Sequence, residues 1–172
     1  DMVERVKLLI EMAQHKPFFY DEALTFARSI DNDSDRVNAL MALLPYIPNL
    51  CIEIFEEICS MDRKSGRASK INALGTYLPE TLLGQALEII KAEPDKHERE
   101  FELSEFVKYL PHSFKEEILE VANAMHDPVS KIKCLIAFTE SPDLLEKALE
   151  IASFIEDKAN KGYAMSALAQ SD

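Results

Sequence analysis

Apolar and polar positions along this chain follow a phrase that returns every 31 or 32 residues, punctuated by Pro17, Pro48, Pro79, Pro111 and Pro142. Counting back from these prolines, apolar residues stand eight, five and one positions earlier. They are Leu40, Leu43 and Ile47 in the second unit, and Leu103, Phe106 and Leu110 in the fourth. Spacings of three and four place such residues on one face of a helix, here called helix A. A second periodic stretch, helix B, follows each proline. Its apolar pairs are Ala23-Leu24, Ile54-Phe55, Ala86-Leu87, Ile118-Leu119 and Ala148-Leu149. The next turn brings Phe26-Ala27, Ile58, Ile89-Ile90, Val121-Ala122 and Ile151-Ala152, and a further turn Ile30, Met61, Met125 and Ile155. Glu93 breaks this last column in the third unit.

Self-similarity at this period is the signature of stacked repeats. Each proline is expected in the first turn of helix B, where its missing N–H has no helical partner. Asp31, Asp62, Asp95, Asp127 and Asp157 close the units and are expected to cap the following helix A. Helix A then runs for about fifteen residues and helix B for about twelve, with short loops. No alternating run predicts a strand. The expected fold is all-α: a right-handed α-solenoid of about five helical hairpins plus a final unpaired helix. It forms one array over residues 1–172, with units at 1–31, 32–62, 63–95, 96–127 and 128–157 and a partial unit at 158–172. The chain opens inside a helix A and stops before a sixth helix B. It is therefore expected to be a fragment of a longer array or a larger protein.

The phrase Arg-x-x-Ala-Leu-x-x-Leu-x-Tyr-Leu-Pro, followed by Ala-Leu-x-x-Ile/Ala and an aspartate, is carried best by Arg67 to Pro79 with Ala86-Leu87. It resembles the degenerate helical-hairpin repeats of the tetratricopeptide and HEAT kind. In particular it is similar to the roughly 32-residue repeats beside signalling NTPase modules in bacteria. It departs from the tetratricopeptide pattern in its shorter period, against about 34 there, and in having no tryptophan. The resemblance covers nearly the whole chain and implies a superhelical interaction surface rather than a reaction.

Composition narrows the partners. Apolar residues make up 47% of the chain, enough for a core, and no apolar run is long enough to span a bilayer. The start carries no signal-peptide pattern. Cys51, Cys59 and Cys134 lack metal-ligand spacing and read as small core residues in a reducing compartment, which predicts a cytoplasmic location. A net charge of −12 disfavours nucleic acid and anionic membranes and steers a basic partner favourably.

Three polar or aromatic columns are candidates for function. Arg5, Arg36, Arg67 and Arg99, with Lys161 in the sixth unit, recur on the apolar side of helix A. They either grip phosphates or carboxylates or brace one hairpin on the next, together with Asp31, Asp62, Asp127 and Asp157; bracing is the expected role. Tyr46, Tyr77 and Tyr109 stand two residues before a proline and are expected to pack at the corner between helices. On the outward face of helix A the early units are polar, whereas the later ones carry Phe101, Ile132 and Tyr163, with Lys108 and Thr139 nearby. This row is either a partner-binding groove or an apolar face covered by the adjacent repeat.

No catalytic motif, glycine-rich phosphate loop or metal-binding spacing occurs, so neither an enzyme nor a cofactor is expected. The expected function is a scaffold or sensor module that binds another protein or peptide through the repeat surface. The alternatives are a structural spacer between flanking domains and a helical-repeat enzyme with a non-local site. A spacer should show no exposed apolar row.

Overall fold

Short polar side chains start most of the A helices. Asn32 opens α3 (Asp33–Leu43), Asp95 opens α7 (Lys96–Phe106) and Asp127 opens α9 (Pro128–Ile136). Each side chain accepts a hydrogen bond from the backbone N–H three residues on, at 2.7–2.9 Å. Asp157 does the same for Asn160 at the start of α11 (Lys158–Ala169). Two expected caps are displaced. Asn32 rather than Asp31 has the extended backbone a cap needs (φ −74°, ψ 120°). The N-cap position of α5 (Arg67–Leu74) belongs to Gly66, in the left-handed region at φ 67°, rather than to Asp62.

The computed structural model describes residues 2–62, 66–138 and 142–169. Among these the secondary structure is entirely helical. The remaining elements are α1 (Met2–Ala13), α2 (Phe19–Arg28), α4 (Leu50–Ser60), α6 (Glu80–Lys91), α8 (Lys115–Ala124) and α10 (Pro142–Ser153). Odd-numbered helices are the A helices of the repeat and even-numbered ones the B helices.

The spaced prolines sit slightly earlier than expected. Pro142 alone stands inside helix B. Pro79 is the cap of α6, and Pro17 and Pro48 lie one residue before theirs. What recurs is the use of the proline carbonyl. It accepts the N–H three residues on from Tyr20, Cys51, Leu82 and Phe114 at 2.9–3.1 Å, a tight turn that leads into helix B. Proline also disfavours helical backbone in its predecessor. Leu78 and Leu110 are extended (ψ 130° and 132°), and the helix ahead of them tightens into 3-10 turns at Gly75–Tyr77 and Val107–Tyr109. The α-helical part of each A helix is accordingly 8–12 residues, shorter than its periodicity suggests.

The chain divides into two compact units, Asp1–Leu78 and Pro79–Asp172, and the boundary falls at the third spaced proline. In the first unit α1 packs on α2 and α3, α2 on α3, α3 on α4, and α4 on α5. The repeat columns fill its core: Val6, Val37, Leu40, Leu43, Ile54, Ile58, Ile71 and Leu74 are fully buried. In the second unit α6 packs on α7, and α9 packs on α7, α8, α10 and α11. Phe106, Ile90, Ile118, Ile132 and Leu135 are buried there.

Candidate functional site

Helices α7, α9 and α11 shape a cleft of about 420 Å³ on the second unit. Phe101 of α7 and Tyr163 of α11 stand at its sides, 54% and 68% exposed. Val129, Ser130 and Lys133 of α9 line the space between them. Two of the three apolar residues of the expected row therefore meet at one site. Ile132 does not. It is fully buried, because α9 is packed against four other helices and that side of it belongs to the core. The surface positions of α9 are taken by Val129 and Lys133, three residues before and one after.

Two carboxylates bear on the cleft: Asp127 lines it, with Oδ2 accepting the Ser130 N–H, and Glu105 binds the lining residue Lys133. Lys133 donates to Glu105 Oε1, and its Nζ lies 5.9 Å from the centre of the Phe101 ring, a cation–π distance. Lys108 approaches the other oxygen of Glu105 at 3.6 Å and lies over the Tyr109 ring at 5.1 Å. The hydrogen bond from Lys133 holds the Glu105 carboxyl below the usual range against the opposing effect of burial, and Lys108 adds to the lowering. Lys108 thus joins the cleft through Glu105 rather than as a lining residue. Thr139 lies outside the described residues.

The arginine column is used unequally. Arg36 is held on every side. Its Nη1 donates to the Ile30 and Asp31 carbonyls at 2.8 and 3.3 Å, and its Nη2 to Asp33 at 2.7 Å. Nε and Nη2 both reach Glu57 Oε2, at 3.2 and 2.8 Å. It therefore ties the end of α2 and the start of α3 to α4. Arg99 reproduces the carbonyl contacts, with Nη1 donating to Glu93 O at 2.5 Å and Pro94 O at 3.5 Å. Arg5 stacks over Phe26 at 4.4 Å, and the buried Nε of Arg67 has no hydrogen-bond partner among the described residues. Lys161 and Lys131 bond the carbonyls of Ser153 and Asn123 near the ends of the preceding B helices. Arg36→Ala should lower stability by about 2–3 kcal/mol, since charge-assisted bonds are lost and Glu57 loses its cation. Equilibrium denaturation measures this, and Arg36→Lys should recover only part of it.

Glu100 is a buried polar residue that the repeat columns do not single out. Eleven positions before the proline the first three units place Val6, Val37 and Ala68, all fully buried, and the fourth places Glu100, 5% exposed. Its carboxylate accepts the backbone N–H of His126 at 3.1 Å and that of Asp127 at 2.8 Å, with His126 Nδ1 at 3.5 Å. Burial pushes its pKa up. The two backbone donors, with the charges of Lys96 and His126, outweigh that and bring it below the usual value. The signal was present in the sequence as an acid at a position that is apolar in the first three units, the same kind of break as Glu93.

Among the described residues no group of three His, Cys, Asp or Glu side chains is placed to hold a metal ion. None of the three cysteines forms a disulfide among the described residues. Burial pushes Cys134 up to about 12 and Cys59 upward as well, which keeps both protonated at neutral pH. No described helix is long and apolar enough to cross a membrane. Comparison with protein-family models, with curated proteins and with solved structures finds no match.

Proposed function

We propose that this chain is a helical-repeat scaffold or sensor module, an α-solenoid similar to the tetratricopeptide and HEAT kind, that binds a partner protein or peptide. The contacts within each unit support the stacking. A helices touch the next A helix in the pairs α1–α3, α7–α9 and α9–α11, and the hairpin pairs α1–α2, α3–α4 and α9–α10 pack together. The observation that carries the function is the cleft between Phe101 and Tyr163. Two large rings stand exposed on either side of a concavity formed by α7, α9 and α11. Aromatic side chains that flank a concave apolar site are the usual anchors of peptide recognition. The occupant is an apolar or aromatic side chain of a partner segment, and the net charge of −12 favours a partner that is basic overall. The free thiols fit a reducing, cytoplasmic setting. A spacer would have no use for an aromatic-sided cleft.

A photo-reactive aromatic amino acid placed at position 163 tests the reading in cells. The expected result is a small set of cross-linked proteins that is lost when Phe101→Ser is added, while helicity is unchanged. Cross-linking that is indifferent to Phe101 would contradict it.

A further inference from the structure

The Arg36 site and its counterpart at Arg99 differ in one decisive way. Both arginines donate Nη1 to the carbonyls six and five residues earlier. At Arg36 the remaining nitrogens are taken by two carboxylates, Asp33 and Glu57. Asp33 lies three residues before Arg36, and the residue three before Arg99 is Lys96. Glu57 precedes Ile58 of the buried helix B column. In the later unit Val121 precedes Ala122 of the same column. Both carboxylates are thus replaced, one by a cation and one by an apolar side chain. Nε and Nη2 of Arg99 consequently make no hydrogen bond among the described residues.

A pocket of about 160 Å³ opens at this place. Lys96, Arg99 and His126 supply three basic groups, and Leu103 and Val121 supply apolar wall. Glu100 also lines the pocket, but its oxygens are engaged by the backbone N–H groups of His126 and Asp127. We propose that Arg99 heads a binding site for an external carboxylate on a short apolar stem, which takes the place that the Glu57 side chain fills at Arg36. The guanidinium fork receives the carboxylate oxygens, as is favoured for arginine. Lys96 adds charge, and the stem lies along Val121 and Leu103. This site is independent of the Phe101–Tyr163 cleft, so either reading can fail without the other.

NMR titration of the whole 172-residue chain tests it. The probes are sodium butyrate, acetylated alanyl-valine with a free C-terminal carboxylate, its C-terminal amide, and sodium chloride as control. Saturable shifts are expected at the Arg99 Nε–H and the Val121 amide with the two carboxylates and with neither control. Tighter binding of butyrate assigns the site to small organic acids, and tighter binding of the peptide assigns it to a chain terminus. Arg99→Gln should weaken binding at least tenfold. Val121→Glu should abolish it by supplying the carboxylate from within, with amide dispersion retained. Equal shifts in Arg99→Gln, equal shifts with the amide, or saturation by inorganic phosphate in place of butyrate would overturn the proposal. Should Val121→Glu lose its fold, Arg99→Gln and the amide control still decide.

Discussion

Ile132→Ser should unfold much of the second unit, whereas Phe101→Ser should leave its stability nearly unchanged. The two residues occupy the same place in the sequence repeat, yet Ile132 is 0% and Phe101 54% exposed. Serine at 132 removes most of a buried aliphatic side chain and leaves a hydroxyl in an apolar interior. Together these cost about 3–5 kcal/mol, a large share of the roughly 5–15 kcal/mol that holds a domain together. Phe101→Ser removes an already wet ring and should cost under about 1 kcal/mol. Urea denaturation of both variants reads the difference directly. Similar losses for the two would mean that Phe101 is core and that the cleft is closed.

Removal of the Glu100 carboxylate should be the second large effect. Glu100→Ala leaves the backbone N–H groups of His126 and Asp127 without their acceptor at the turn into α9. Loss of a buried charged acceptor costs about 2–4 kcal/mol. Glu100→Gln keeps one carbonyl acceptor and should fall between. The group also has a pH signature. Its pKa in the folded chain lies below the ordinary value, so its contribution is fully present above the unfolded value near ~4.3 and is lost as pH falls through the folded value. Stability measured from pH ~6 to ~2 should therefore decline less steeply in Glu100→Gln than in the wild type. A steeper acid limb in the variant would contradict the assignment.

Much of this architecture was legible in the sequence because one physical constraint is repeated. Apolar spacings of three and four fix the helices, and most of the residues named from those columns are buried, from Leu40 and Leu43 to Leu103 and Phe106. The joints were legible for a similar reason, since proline and a short polar cap act locally. The details that escaped are those set by neighbours in space. Whether Ile132 or Lys133 faces water depends on how many helices surround α9. Which residue caps α3 depends on backbone angles that Asp31 and Asn32 do not reveal by type. Glu100 is legible as an exception but not as a role, because its partners are backbone N–H groups 26 and 27 residues away. The break at Pro79 between the two compact units has no counterpart in the repeat pattern.

Hydrogen exchange of the chain, alone and with the partner recovered by cross-linking at position 163, locates the binding surface. Slowed exchange is expected only in α7, α9 and α11 around Phe101, Val129, Lys133 and Tyr163, with the B helices of the same unit unchanged. Protection on α8 and α10 instead, or no change around the cleft, would contradict binding at the cleft.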